Sequence, residues 1–256
     1  GTTERSAYLV PGYEWFPRDK FAVENWDARG LVVFGGYSWV MLPESKGDLL
    51  EVQISNTCAL LGGDTRLTVS MLAAQAICDR HGCMLPTAQM VDATWRARVL
   101  TLQARPLVPA KVDTNHMASL AASLVEDDEV MPQWRGQAGG PASPNMAATW
   151  GKEYVLTPSL ATHPDTANIY GWHKPDGSVW QSPGGGGSPH PARYFDYSHT
   201  FRTVLPIARL NGVLCSLPEL FRTRPDLVGG PRFGGQPCPT RQPLVLHRAP
   251  DGTVIQ

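Results

Sequence analysis

The 256-residue chain carries 22 basic and 23 acidic side chains, a formal charge of −1, without the basic stripe that marks a nucleic-acid footprint. Charged residues make up 18% of the chain, below the ~25% of an ordinary soluble domain, yet no apolar run approaches the roughly 20 residues that span a bilayer. With Gly 25 and Pro 23, many turns and long connections are expected, in a chain long enough to enclose a substantial core.

AVENWDARG (22–30) reads as a short helix stopped at Gly30, because glycine is favoured just past a helix end. LVVFGGYSWVML then reads as two short strands broken at Gly35 and Gly36. DLLEVQIS alternates as a further strand. TVSMLAAQAICDRHG is the clearest helix: Leu72, Ala73, Ala76, Ile77 and Cys78 form one apolar stripe, and Gly82 supplies the stop. LPTAQMVDATWRARVL follows as a second helix with Thr87 as N-cap and Met90, Val91, Trp95 and Val99 facing inward. NHMASLAASLVEDD is a further helix, and QWRGQAGGPASPN reads as a loop.

Past Glu153 the pattern changes to strands: EYVLTP, ANIYGWHK, SVWQ and ARYFDYSHTFRTVLPIARL. Pro175–Gly177 and Asn211–Gly212 mark hairpin turns. SLPELFR is a short helix with Ser216 as N-cap and Glu219 at the capping-box position. The expected fold class is α+β, a helical first half packed on an antiparallel sheet formed largely by the second half. One domain over 1–256 is expected, with 225–256 as a Gly/Pro-rich wrapping tail.

Five cysteines, Cys58, Cys78, Cys83, Cys215 and Cys238, show no zinc-finger spacing. Cys78 and Cys83 flank a helix end and would bridge if the chain turns back at Gly82; the alternative is that they are small buried residues. Cys58 and Cys215 read as core rather than nucleophiles. Glu14, Asp19, Glu24 and Asp27 read as solvated turn and helix residues, since no spacing singles out a catalytic pair. The GGGG of Gly184–Gly187 lacks the lysine of a phosphate loop and reads as a connection or lid.

The densest group of titratable side chains lies in IYGWHKPDGSVWQSPGGGGSPHPARYFDYSHTFR. His173, His190 and His199 stand there with Asp196 and Ser198. Histidine changes charge near neutral pH and is the commonest metal ligand. Two arrangements are open. If Arg193–Leu205 is a regular strand, side chains alternate, so Asp196, Ser198 and Arg202 share a face and meet His173. His173 is then a general base, Asp196 its orienter, Ser198 a nucleophile or donor, and Arg202 an oxyanion partner. If D-Y-S-H is kinked, Asp196 and His199 converge with His173 and His190 on zinc or iron. The metal-free arrangement is preferred, with no cofactor, because Asp196, Ser198 and Arg202 make one polar face. Trp172, Trp180, Tyr194 and Tyr197 are the candidate substrate-binding aromatics.

The string from YGWHKPDGSVWQ through His190 to YFDYSH, together with AQAICDRHGCMLPTAQMVDATW, resembles an uncharacterised family of bacterial, exported proteins. The shared pattern is a G-W-H hairpin, a histidine six residues before the aspartate, D-Y-S-H, and an earlier G-C-x-L-P-T helix start, covering most of residues 24–225. The resemblance implies a secreted or periplasmic location and a unit of His173, His190, Asp196, Ser198 and His199; it names no reaction. Thr200 stands where the family pattern has glycine, and Cys58 where it has tyrosine. The start at Gly1, directly followed by TTERS, is compatible with removal of an export signal.

These residues lead to an expected hydrolase cutting an amide or related bond in a cell-envelope or extracellular polymer, with a polymeric or small-molecule substrate as partner. The alternative is a carbohydrate- or wall-binding module in which the same aromatics stack on sugars and nothing is cleaved.

Overall fold

The structure, a computed structural model, describes residues 19, 22–107, 120–138, 145–182, 190–242, 247–248 and 254–255. The fold is α+β, with helices mostly in the first half and strands mostly later. Gly184–Gly187 and Glu14 lie outside the described residues.

Local signals set most element boundaries. Helix α1, Met71–Arg80, starts where the Ser70 hydroxyl accepts the Ala73 N–H at 3.3 Å. Asp19 takes the Ser70 N–H at 3.0 Å, so this carboxylate anchors a helix start. Helix α2, Ala88–Ala97, starts where Thr87 accepts the Met90 N–H. The α2 stripe ends sooner than its periodicity suggests: Val99 lies past the last turn and is exposed. AVENWD forms a π-helical turn over Ala22–Asp27, closed at Gly30 with φ 70°. Asp27 is tied to His81 at 2.5 Å.

Helix α3, Leu120–Ala138, runs straight through the QWRGQA expected to be loop. Trp134 explains the extension. Its ring is buried edge-on against Trp150, centroids 5.1 Å apart, and burial of that size outweighs the helix penalty of Gly136. Helices α4, Leu217–Thr223, and α5, Pro225–Gly229, close the ordered sequence of helices. Ser216 caps α4 as its sequence indicates. Leu227, Val228 and Phe233 are buried in the core, so the start of the Gly/Pro-rich tail is packed structure. Among the described residues, no helix is long and apolar enough to cross a membrane.

Two four-stranded sheets are the largest, beside one three-stranded and three two-stranded sheets among the described residues. The first is antiparallel, in the order Val213–Ser216, Val204–Leu210, Leu50–Ser55, Tyr37–Met41, and joins strands from both halves of the chain. The second runs Val179–Gln181, Ile169–His173, Lys152–Tyr154, His199–Thr200, with only the last pair parallel. The long strand expected from Ala192 onward is interrupted. Only His199–Thr200 and Val204–Leu210 pair, and they belong to different sheets.

Arg202 sits in the crossing between those sheets. Its Nε donates to Glu153 at 2.8 Å, Nη1 donates to the Ser55 carbonyl at 2.9 Å, and Nη2 donates to the Ala147 carbonyl. Both partners of the ion pair are buried. An arginine held this way has no free face for a substrate, which corrects the expectation of an oxyanion partner. Breaking a buried pair strands the remaining charge. Arg202→Ala is therefore expected to lower unfolding free energy by about 3–5 kcal/mol, measured by urea denaturation. Arg202→Ala/Glu153→Ala should lose less than the two single variants summed.

Candidate functional site

The G-W-H strand does not alternate regularly, and that decides where His173 goes. Gly171 and Trp172 both have left-handed backbone, φ 97° and 55°, a conformation strained for a bulky side chain. Tyr170 and His173 consequently reach the same carboxylate, Asp92 of α2. The Tyr170 hydroxyl donates to Asp92 Oδ1 at 2.7 Å, and His173 Nε2 lies 2.9 Å from the same oxygen. Arg232 donates to Asp92 Oδ2 at 2.8 Å and to the Tyr170 hydroxyl at 2.7 Å. Trp95 stacks on the His173 ring at 5.1 Å. Burial would raise the Asp92 pKa, but the His173 and Tyr170 contacts and the Arg232 charge outweigh it and hold it below the usual range.

The D-Y-S-H segment is a turn rather than a regular strand. The His199 N–H donates to the Asp196 carbonyl at 3.1 Å. The Asp196 side chain accepts the Ser198 N–H at 2.8 Å and the Ser198 hydroxyl at 2.6 Å. This is the local aspartate turn in which a side chain replaces a backbone acceptor. The segment is thus kinked, which brings Asp196 and His199 together without His173. Ser198 is fully buried and its hydroxyl donates to the Asp196 carboxylate, so it positions Asp196; the expected base, His173, is held by Asp92 instead.

His199 is fully buried. Its Nδ1 lies 3.2 Å from the Tyr154 hydroxyl, whose own proton goes to the Val69 carbonyl at 2.8 Å. Nε2 has no hydrogen-bond partner and lies 3.6 Å from Asp196 Oδ2. Burial, aided by Lys152 and His190 against the pull of Asp196, lowers the His199 pKa to about 4. His190 stacks on Tyr194 at 4.3 Å and stands edge-on to His199 at 5.7 Å. It is partly exposed, and burial together with Lys152 lowers its pKa against Asp196. For Asp196 burial acts upward, but His199, the Ser198 bonds and Lys152 prevail and leave it lowered.

Lys152 joins these groups because it pairs with Gly171 on one side and His199 on the other. Its Nζ lies 5.9 Å from the centre of the Trp172 ring. Trp172 in turn packs against Tyr197 at 6.4 Å and Trp180 at 6.5 Å. Trp180 is 50% exposed, with Lys174 Nζ 4.4 Å over its ring. The structure therefore gathers His190, Tyr194, Asp196, Ser198 and His199 beside Trp172, Trp180 and Tyr197. It does not bring His173 to Asp196. The Lys152–Tyr154 strand lies between them, and two strand spacings plus two residues separate the His173 and His199 backbones by roughly 12 Å.

Sequence reasoning missed Asp92, Lys152, Tyr154 and Glu126. Asp92 left one signal, a lone acid beside the buried stripe of α2. Lys152 and Tyr154 left none. Glu126 was masked by the run E-D-D-E, which reads as a solvated face. Its side chain is nevertheless fully buried, and neither carboxyl oxygen has a hydrogen-bond partner. One turn earlier, Ala122 packs on Trp172 and Tyr197, which places Glu126 behind the aromatic wall. The neighbouring Asp127 is engaged by Arg66, which also donates to the Trp150 and Tyr197 carbonyls.

Among the described residues, no group of three or more His, Cys, Asp or Glu side chains is arranged to hold a metal ion. Cys58 is fully buried, and burial pushes its thiol up to about 12, which makes it a poor nucleophile. Cys215 is partly buried. Compared with known proteins, the chain matches no family model, no curated protein and no solved structure.

Burial raises the Glu126 pKa to about 7 despite the Arg66 charge, with Asp127 and Glu129 adding to the rise. Between its ordinary value of 4.5 and about 7, the unfolded chain releases a proton that the folded chain keeps. Stability from this group is thus fully present at low pH and declines as pH rises to about 7. His199, with its depressed pKa, acts oppositely in part of that window. The difference between wild type and Glu126→Gln isolates the carboxyl. Relative to wild type, the variant should gain thermal stability steadily from pH 5 to pH 7.5; a pH-independent difference would contradict this protonation.

Proposed function

We propose that the protein is a hydrolase that cuts an amide or related bond in a bacterial cell-envelope or extracellular polymer, at the His190–Asp196–His199 site. The observation that carries this reading is the fully buried His199 Nε2, unpartnered beside the Asp196 carboxylate and next to the partly exposed His190. Two neutral imidazoles and an ionised carboxylate at neutral pH form a set suited to moving protons.

His190, the more exposed of the two histidines, is the general base that takes a proton from the attacking water. His199 and Asp196 lie behind it, where the carboxylate stabilises the positive charge that develops on the imidazole pair. The Lys152 ammonium, within electrostatic reach of all three groups, is the candidate to stabilise the carbonyl oxygen as it becomes an oxyanion. The half-exposed Trp180, backed by the buried Trp172 and Tyr197, is the aromatic surface on which a sugar or peptide unit rests. His173 and Arg202 are positioning residues in this scheme, since their side chains are held by Asp92 and Glu153. This proton transfer needs no metal; one equivalent of zinc or iron in the purified protein would replace the base with metal-activated water.

The half-exposed Trp180 with Lys174 over its ring favours a second reading, a module that binds a polysaccharide without cleaving it. Secretion rests on the family resemblance of the GWH and DYSH motifs. Release of soluble fragments from purified peptidoglycan decides between the two. Turnover should fall by roughly 10²-fold or more in His190→Ala and in His199→Gln, with His173→Gln changing it less. Saturable binding with no products from the wild-type protein would replace the hydrolase reading with the module.

A further inference from the structure

Cys78 and Cys83 occupy the two positions that the end of α1 brings together. The Cys83 N–H donates to the Cys78 carbonyl at 3.0 Å, and the Gly82 N–H donates to the Asp79 carbonyl at 3.3 Å. These nested bonds define a Schellman ending, with the left-handed residue supplied by Gly82 at φ 62°. In such an ending, the residue two past the helix cap packs on the third-last helical residue. Here both are cysteines. The 3.0 Å backbone bond also keeps their Cα atoms inside the roughly 7 Å limit for a disulfide.

The Cys83 thiol donates to the Cys78 carbonyl at 3.5 Å, and both cysteines are free thiols. Their surroundings differ. Cys78 is fully buried on the helix, and burial raises its pKa well above the usual thiol value. Cys83 faces the Thr203 and Tyr37 hydroxyls, which are themselves 2.7 Å apart. Contact with Cys78 and with these hydroxyls lowers its pKa against the effect of burial. Thiol–disulfide exchange needs one thiol that ionises readily and a second within reach to resolve the mixed disulfide.

We propose that Cys78 and Cys83 are a disulfide-forming pair, closed during folding by exchange with a small disulfide such as oxidised glutathione. The Cys83 thiolate attacks one glutathione sulfur, forming a mixed disulfide and releasing one glutathione thiol. Cys78 then loses its proton and attacks Cys83 Sγ, forming the protein disulfide and releasing the second glutathione. Two protein thiols are oxidised, one glutathione disulfide is reduced, and the two protons leave on glutathione. The bridge staples the end of α1 next to Met84, whose backbone pairs with Val204 of the first sheet. This assignment is independent of the hydrolase reading. Cys58, Cys215 and Cys238 stay as thiols.

The full chain, refolded in a glutathione redox buffer and then denatured and alkylated, tests it. Three alkylated cysteines rather than five, and a linked peptide containing Cys78 and Cys83, are expected. Cys78→Ser and Cys83→Ser should each leave all remaining cysteines alkylated. Because a variant can fail to fold, the linked fraction of the wild-type chain is also measured against the ratio of reduced to oxidised glutathione. It should titrate as one two-electron step. Five alkylated cysteines at every ratio, or a link from either residue to Cys58, Cys215 or Cys238, would overturn the proposal.

Discussion

The buried guanidinium of Arg202 is the constraint on which the arrangement of the two sheets depends. A charge removed from water is tolerated only when its donors are matched, and Arg202 finds its partners on three separate segments: Glu153, Ser55 and Ala147. That requirement fixes where the chain leaves the site sheet after His199–Thr200 and enters the other sheet at Val204. Glu153 is flanked by Lys152 and Tyr154, which both reach the His199 side. That buried ion pair therefore sets the position of two groups that border the His199 side chain.

Arg66 does the same on the other side of the D-Y-S-H turn. It holds the Tyr197 and Trp150 carbonyls and pairs with Asp127 of α3. Between these two arginines the backbone is tightly confined. A side chain on Gly151 would place its Cβ 2.6 Å from the Ser198 carbonyl oxygen. Thr149 and Trp172, on either side of Lys152 in space or sequence, have left-handed backbone at φ 75° and 55°. Strain of this kind persists only where the surroundings over-determine the conformation, and it tends to cluster at functional sites.

The two histidine–aspartate pairs illustrate how similar residues acquire different roles. His173 and Asp92 are 2.9 Å apart, with Tyr170 and Arg232 completing the carboxylate's bonds and Trp95 covering the ring. This cluster joins α2 to the sheet and engages both oxygens of the Asp92 carboxylate. His199 and Asp196 stand 3.6 Å apart, with Ser198 occupying the other carboxylate oxygen and His199 Nε2 left open. The open Nε2 in a buried place is what distinguishes the second pair, and burial, with the Lys152 charge adding to it, lowers the pKa of both imidazoles.

The sequence alone determined the features that depend on a few neighbouring residues. Ser70, Thr87 and Ser216 start their helices because a short oxygen-bearing side chain reaches a nearby N–H, and Gly30 and Gly82 stop helical turns because glycine accepts positive φ. The α+β class and the collection of His190, Asp196 and His199 in one stretch were legible for the same reason. Partner choice was not. Asp92 lies 81 residues from His173, Glu153 lies 49 from Arg202, and Asp127 lies 61 from Arg66, distances over which side-chain periodicity carries no information. The D-Y-S-H turn, the burial of Arg202 and the extension of α3 through Gly136 were decided in the tertiary structure, where matching buried charges and packing Trp134 against Trp150 outweigh the local preferences of the chain.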